Sequence, residues 1–168
     1  IADESTVALC GSNGKLSEAS AALGLAVLPG VVAEHSRRRA LRERYRRKLA
    51  SIPGVTIYEL PGGVTQSEQY LVVRLCGDSH RPPSAERDAA FHLLREHRIL
   101  ARRYFHPLCS DFPHYRHLAS AARSNLPASV RAADEMLCLP LHGGVSERAV
   151  DDIAFLISQA ITSGYPNS

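Results

Sequence analysis

The sequence predicts an α+β domain, and three observations carry that expectation. Two β-rich runs, Val55 to Tyr58 and Tyr70 to Leu75, lie either side of a Pro61-Gly62-Gly63 turn. Apolar residues at helical spacing flank them on both sides. The elements then read two helices, two strands, helix, strand, helix, strand, helix, with no internal repeat and no long linker. The 168 residues, 45% hydrophobic and 22% charged, suit one globular domain, in which 1–52 form a long kinked helical segment and 53–168 a small α+β unit.

The first helix starts at Ser17-Glu18, a cap and an acidic first residue after the Asn13-Gly14 turn, and carries Ala19, Ala21, Ala22, Leu23 and Leu25. Pro29-Gly30 ends or kinks it. From Val31 to Ser51 helical character resumes, with Leu41, Tyr45, Leu49 and Ile52 forming one narrow buried stripe and the arginines facing outward. Pro53-Gly54 stops that helix, and the nearly continuous apolar run at Tyr70 to Leu75 is expected to be the central strand.

After a loop from Asp78 to Pro83, Ser84 caps a helix to about His97, with Ala89, Ala90, Leu93 and Leu94 inside and Glu86, Arg87, Arg95 and Glu96 outside. Ile99 to Phe105 reads as a strand, 107–127 as an irregular stretch rich in His and Tyr, Ala128 to Glu135 as a short helix and Leu137 to Leu139 as the last strand. A terminal helix begins at Ser146-Glu147, with Val150, Ile153, Ile157, Ala160 and Ile161 on its buried face.

Composition excludes disordered and collagen-like chains. The longest apolar run, Ala19 to Ala33, is split by Pro29 and Gly30 and runs into arginines, so no membrane span is expected, and Asp3 and Glu4 stand where a signal peptide carries positive charge. The chain opens at Ile1 and its only methionine is Met136, from which an upstream portion is expected. Cys10, Cys76, Cys109 and Cys138 form no CxxC pair and read as reduced thiols of a cytoplasmic protein.

The net charge of +3 is local. Arg37 to Lys48 holds eight basic residues against Glu43, leaving 12 basic and 16 acidic residues elsewhere. These arginines surround the helix instead of forming one strip and only Tyr45 is interleaved, a pattern of a solvated or intersubunit face and not of a nucleic-acid interface. His106, Cys109, Asp111, His114 and His117 are ligand-type residues within twelve positions, but Pro107 and Pro113 make this a loop without a closing pair, and no metal site is assigned. No GxSxG elbow or GxxxxGK loop occurs. Gly11 to Lys15 is a short Gly-rich turn ahead of a helix N-terminus, where an anion could be received.

Four stretches carry a family resemblance. Asn13-Gly14-Lys15-Leu16-Ser17-Glu18 followed by Ala21 to Leu25, the arginine helix from Arg37 through Gly54, Arg103-Tyr104-Phe105-His106-Pro107-Leu108, and Leu137-Cys138-Leu139-Pro140-Leu141-His142 resemble, in order, C-terminal motifs of the DegT/DnrJ/StrS family of pyridoxal-phosphate-dependent sugar aminotransferases. Pro29-Gly30 departs from the charged pair the family places mid-helix.

The resemblance implies the small C-terminal domain of a fold-type-I PLP-dependent transferase together with the long kinked helix that precedes it, the large PLP-binding domain lying upstream. It implies a homodimer, formed through the N-terminal helical segment, that moves an amino group from glutamate to a nucleotide-linked keto-sugar. It further implies that Asn13 reaches the cofactor phosphate of the opposite subunit, with Lys15 adding charge there, and that Tyr104 and His106 lie near the nucleotide-sugar. On their own chemistry, Asn13 equally suits a turn before Gly, Lys15 solvent, Tyr104 packing and His106 the ordering of its own loop.

A transaminase needs a lysine to attach its cofactor. The two lysines here, Lys15 and Lys48, match no such position, so no catalytic residue is expected and the segment alone is expected to hold no cofactor and to be inactive. The other reading is a standalone, non-catalytic module of the same fold that dimerises or binds another protein.

Overall fold

Ser17 does cap the first helix: its hydroxyl accepts from the Ser20 N–H at 3.2 Å, and α1 runs over Glu18–Val27. The computed structural model describes residues 14–77 and 82–162. Pro29 and Gly30 sit in a single 3-10 turn, Leu28–Gly30, after which α2 runs over Val31–Leu49. The helical run Glu18–Leu49 is, by length and composition alone, apolar enough to span a membrane, a test that core helices of soluble proteins also meet. Pro29 and Gly30 interrupt it, and no residue of α1 is buried.

The chain divides into two units, Ile1–Ala33 and Glu34–Ser168. This division falls early in α2. The reason lies in the predicted stripe: Leu41, Tyr45, Leu49 and Ile52 are all buried in the core of the second unit. Tyr45 is fully buried, its hydroxyl donates to the Pro140 carbonyl at 3.1 Å, and burial pushes its phenol well above the usual range.

In the second unit, β1 (Val55–Ile57), β2 (Leu71–Leu75), α3 (Ala85–Glu96), β3 (Arg102–Arg103), α4 (Pro127–Glu135), β4 (Met136–Leu139) and α5 (Glu147–Thr162) follow in order. The strands form one antiparallel sheet of order β1-β2-β4-β3, with Val73 opposite Ile57 on one side and Leu137 on the other. The apolar run predicted to be central is thus an inner strand. Leu71, Val73 and Leu75 point into the core with Leu93, Leu94, Val150, Ile153 and Ile157 of α3 and α5, while Val72 and Arg74 take the opposite face. Gly54 has φ +77°, and a Cβ there would stand 2.2 Å from the Cys76 carbonyl oxygen, so only glycine lets β1 start this close to the end of β2.

Three expectations are corrected. Ser84 precedes α3 but makes no side-chain cap bond. Glu86 and Arg87, read as outward, are 3% and 1% exposed: Glu86 lies against Gly77, where no side chain competes for space, and Arg87 donates from Nη1 to the Ala133 carbonyl at 2.7 Å and sits 2.8 Å from Asp88. The strand expected over Ile99 to Phe105 shrinks to Arg102 and Arg103, opposite Cys138 and Leu137 of β4, because a tight turn from the Ala101 N–H to the Ile99 carbonyl precedes it and the Tyr104 N–H reaches the Met136 carbonyl only at 3.5 Å.

The arginines of α2 are not uniformly solvated either, since Arg42 is 8% exposed. Arg44 pairs with Asp151 at 2.7 Å and Glu147 at 2.5 Å, and Lys48 with Asp151 at 3.4 Å, fastening α2 to α5. Glu34 accepts from Arg38 Nε at 2.7 Å and from the Gly143 N–H at 2.8 Å, fastening α2 to the turn after β4.

Candidate functional site

The face of the sheet turned away from the main core carries the site. Val72 of β2, Met136 of β4 and Ser129, Ala132 and Ala133 of α4 line a groove of about 690 Å³, a size in the range of small-molecule sites. The irregular chain 58–70 contributes Tyr58, Leu60 and Thr65 to Tyr70, and the segment after β3 contributes Tyr104, Phe105 and Leu108. The Tyr104 ring stacks on Phe105 at 4.1 Å and meets Tyr70 at 5.4 Å. Tyr58, Tyr70 and Phe105 are 55%, 44% and 70% exposed, so the groove presents open aromatic faces, which bind flat or apolar ligand groups well.

Two charged residues, Arg42 and Glu68, belong to this lining. Arg42 follows Leu41 by one position and precedes Tyr45 by three, which turns it toward the buried stripe of α2. Its Nε donates to Glu68 Oε2 at 2.9 Å and its Nη2 to the Tyr70 carbonyl at 3.1 Å. Glu68 is 4% exposed, has φ +51°, and is held further by Arg38, whose Nη1 donates to its carbonyl at 3.4 Å, and by Arg39 at 3.7 Å. A non-glycine residue in the left-handed region costs about 1 kcal/mol or more, and here the charge pairs on Glu68 offset it. The result is that a wall of the groove is fixed by a buried ion pair to α2.

The predicted residues separate. Tyr104 lines the groove. His106, two positions on, is not among its lining and is largely exposed; partial burial, then the charges of Arg87 and Arg103, hold its imidazole below the usual histidine range. Arg103 itself lies 3.5 Å from Asp88 and over the Phe91 ring at 4.7 Å. Lys15 is exposed in the first unit, and Asn13 lies outside the described residues. Asp111 is taken by Arg123 at 2.8 Å, and among the described residues no three His, Cys, Asp or Glu side chains converge as a metal site. Arg42, Glu68, Tyr58, Tyr70 and Phe105 are the lining residues to which sequence reasoning gave no site role. The one available signal was the helical register of Arg42 on the buried stripe.

Residues 2–158 match the model of the DegT/DnrJ/EryC1/StrS aminotransferase family. The chain belongs to this family. A similar relative in it is the Escherichia coli dTDP-4-amino-4,6-dideoxy-D-glucose transaminase, 40% identical over 157 residues. That match covers 94% of this chain but 41% of the relative, so the chain spans about two fifths of the length of the curated relatives it matches.

Among solved structures, DesI in the presence of its TDP-sugar product is 28% identical with a TM-score of 0.75, covering 91% of this chain and 38% of DesI. A chain from Streptococcus pneumoniae in a PLP form shares the fold at 22% identity with a TM-score of 0.78, covering 90% of this chain and 37% of that one.

The DegT/DnrJ/EryC1/StrS fold implies PLP, and the residues present can be tested against it. Lys48 is spent on Asp151 within the α2–α5 ion pairs, Lys15 is exposed, and neither lines the groove. The described residues do not fit covalent attachment of PLP.

Proposed function

We propose that this chain is the C-terminal segment of a PLP-dependent aminotransferase that transfers an amino group from glutamate to a nucleotide-linked keto-sugar. The single observation that carries the reading is the 40% identity, over 94% of the chain, to a dTDP-sugar transaminase. In the whole enzyme PLP supplies the electron sink for the amino transfer. The large PLP-binding domain and the lysine that attaches the cofactor belong to the remainder of that enzyme, so this segment is inactive by itself. The enzyme is cytoplasmic and works as a homodimer through the N-terminal helical segment, in which Leu23, Leu25, Val27 and Leu28 are 56–71% exposed and available to be covered.

In this reading the groove forms part of the nucleotide-sugar site. Tyr104, between Tyr70 and Phe105, offers a stacking surface and a phenol for sugar hydroxyls or diphosphate. His106 hydrogen-bonds from the adjoining loop as a neutral imidazole, and Asn13 and Lys15 reach the cofactor phosphate of the opposite subunit.

Two measurements test this. Thymidine, titrated against the 168-residue chain by NMR, is expected to shift groove resonances and to bind roughly tenfold more weakly to Tyr104→Ala, since stacking on an aromatic ring contributes about 1–3 kcal/mol per base. Equal affinity in the variant overturns the placement. Incubation with PLP followed by borohydride is expected to fix no pyridoxyl group at Lys15 or Lys48, and stoichiometric labelling of either overturns the claim of inactivity.

A further inference from the structure

We propose that Asp88, which lies outside the groove, is its positioning residue: by pairing with both Arg87 and Arg103 it holds two walls of the groove, the end of α4 and the Tyr104 segment, at a fixed separation. The proposal rests on the groove being the ligand site and adds what sets its width. Asp88 stands in the first turn of α3, where a carboxylate also suits the positive end of the helix. Its Oδ1 lies 2.8 Å from Arg87 Nε and 3.5 Å from Arg103 Nη1, so one oxygen serves both cations.

Arg87 runs to the first wall. Its side chain is 1% exposed, and a guanidinium so far removed from water needs an anion and hydrogen-bond acceptors. Asp88 supplies the anion, and Nη1 donates to the Ala133 carbonyl at 2.7 Å. Ala133 lines the groove and belongs to the last turn of α4, whose final carbonyls find no partner within the helix. The end of α4 is thus capped from α3 by a buried cation that Asp88 holds in place.

Arg103 runs to the second wall. It stands opposite Leu137, on the core face of the sheet, where its guanidinium lies over the Phe91 ring at 4.7 Å and beside Asp88. Side chains alternate along an extended chain, so the next residue, Tyr104, takes the groove face beside Met136, and both line the groove. The charges of Arg87, Arg103, Asp88 and Asp134 also act on His106, so the cluster backs this loop two residues further on. Removing the Asp88 charge releases both walls at once and leaves Arg87 and Arg103, which already repel each other, without their shared anion.

Thymidine affinity, measured by NMR on the 168-residue chain, is the test. Asp88→Asn keeps the size of the side chain and removes its charge, and is expected to weaken thymidine binding about 3- to 10-fold. Arg103→Gln, at a side chain 33% exposed, leaves the Arg87 pair intact, loosens only the second wall and is expected to weaken binding about 2- to 5-fold. A double-mutant cycle separates positioning from general weakening: in a Tyr104→Ala chain, Arg103→Gln is expected to have no further effect, because the ring it positions is gone. A purely structural role would lower the urea midpoint and leave the affinity of the folded chain unchanged.

Should Asp88→Asn lose its circular-dichroism signature, Arg103→Gln and its cycle decide alone. Unchanged thymidine affinity in a folded variant, or an equal loss with and without the Tyr104 ring, overturns the proposal and leaves the groove reading standing. Absence of thymidine binding by wild type sinks the groove reading instead, and backbone amide resonances of the free variants then decide the role of Asp88. Asp88→Asn must shift both Ala133 and Tyr104, and Arg103→Gln must shift Tyr104; shifts confined to α3 overturn the proposal.

Discussion

Glu68 shows how much one side chain can decide. Its carboxylate is the acceptor for a guanidinium that is itself nine-tenths buried, so deleting it strands a charge and does not merely remove a bond. Glu68→Ala is therefore expected to destabilise the fold by about 3–5 kcal/mol, read as a lower urea midpoint. Tyr45→Phe, which loses only the bond to Pro140, is expected to cost about 1 kcal/mol. The contrast is useful because both residues sit on or against the same helix.

Sequence reading found Tyr45 from its spacing and missed Arg42, since an arginine in a run of arginines looks solvated until its register against Leu41 and Tyr45 is counted. Glu68 was not legible. Its role depends on a tertiary partner 26 residues away and on a left-handed backbone that no local pattern announces.

At the scale of elements, amphipathic helices were the easy part. The face of α5 is written in Val150, Ile153, Ile157 and Ala160, all buried, and α3 buries Ala89, Ala90, Leu93 and Leu94 as its spacing demands. Strand limits were harder, because β3 ends where the Tyr104 N–H reaches the Met136 carbonyl only at 3.5 Å, a tertiary contact that its own sequence does not encode. The long connection 58–70 carries no periodicity at all, yet it supplies much of the groove.

One glycine ties these elements together. At Gly54 any side chain meets both a disfavoured φ and the Cys76 carbonyl. Gly54→Ala is thus expected to lower stability by about 2 kcal/mol or more, beyond the roughly 1 kcal/mol of backbone conformation alone. A chain that melts at the wild-type temperature overturns this reading of the β1–β2 junction.

For the whole molecule, charge pairing makes stability depend on pH in two windows. Hydrogen bonding by Arg38 and the Gly143 N–H depresses the Glu34 carboxyl, and Arg44 and then Lys48 do the same for Asp151. Groups lowered in this way stabilise the fold above their unfolded values near 4 and lose that contribution as pH falls through the folded ones. His106 is also lowered, which means that the unfolded chain takes up its proton first, from about pH 6.5 downward, so folding stability declines as pH drops through that range.

Urea midpoints are therefore expected to stay level between pH 7 and 8, to decline slightly below about 6.5 and to fall steeply below about 4. His106→Gln is expected to abolish the first decline and leave the second. A single acid transition in both proteins overturns the histidine assignment.

The brevity of the outer strands carries a consequence for behaviour at high concentration. β1 has three residues and β3 two, and these form the two borders of the sheet. Unpaired backbone along a sheet border is a template on which a second chain can add, and short borders offer too few consecutive amides to hold one. Ribbon-like polymerisation through this sheet is thus suppressed by geometry, and self-association is left to side-chain surfaces.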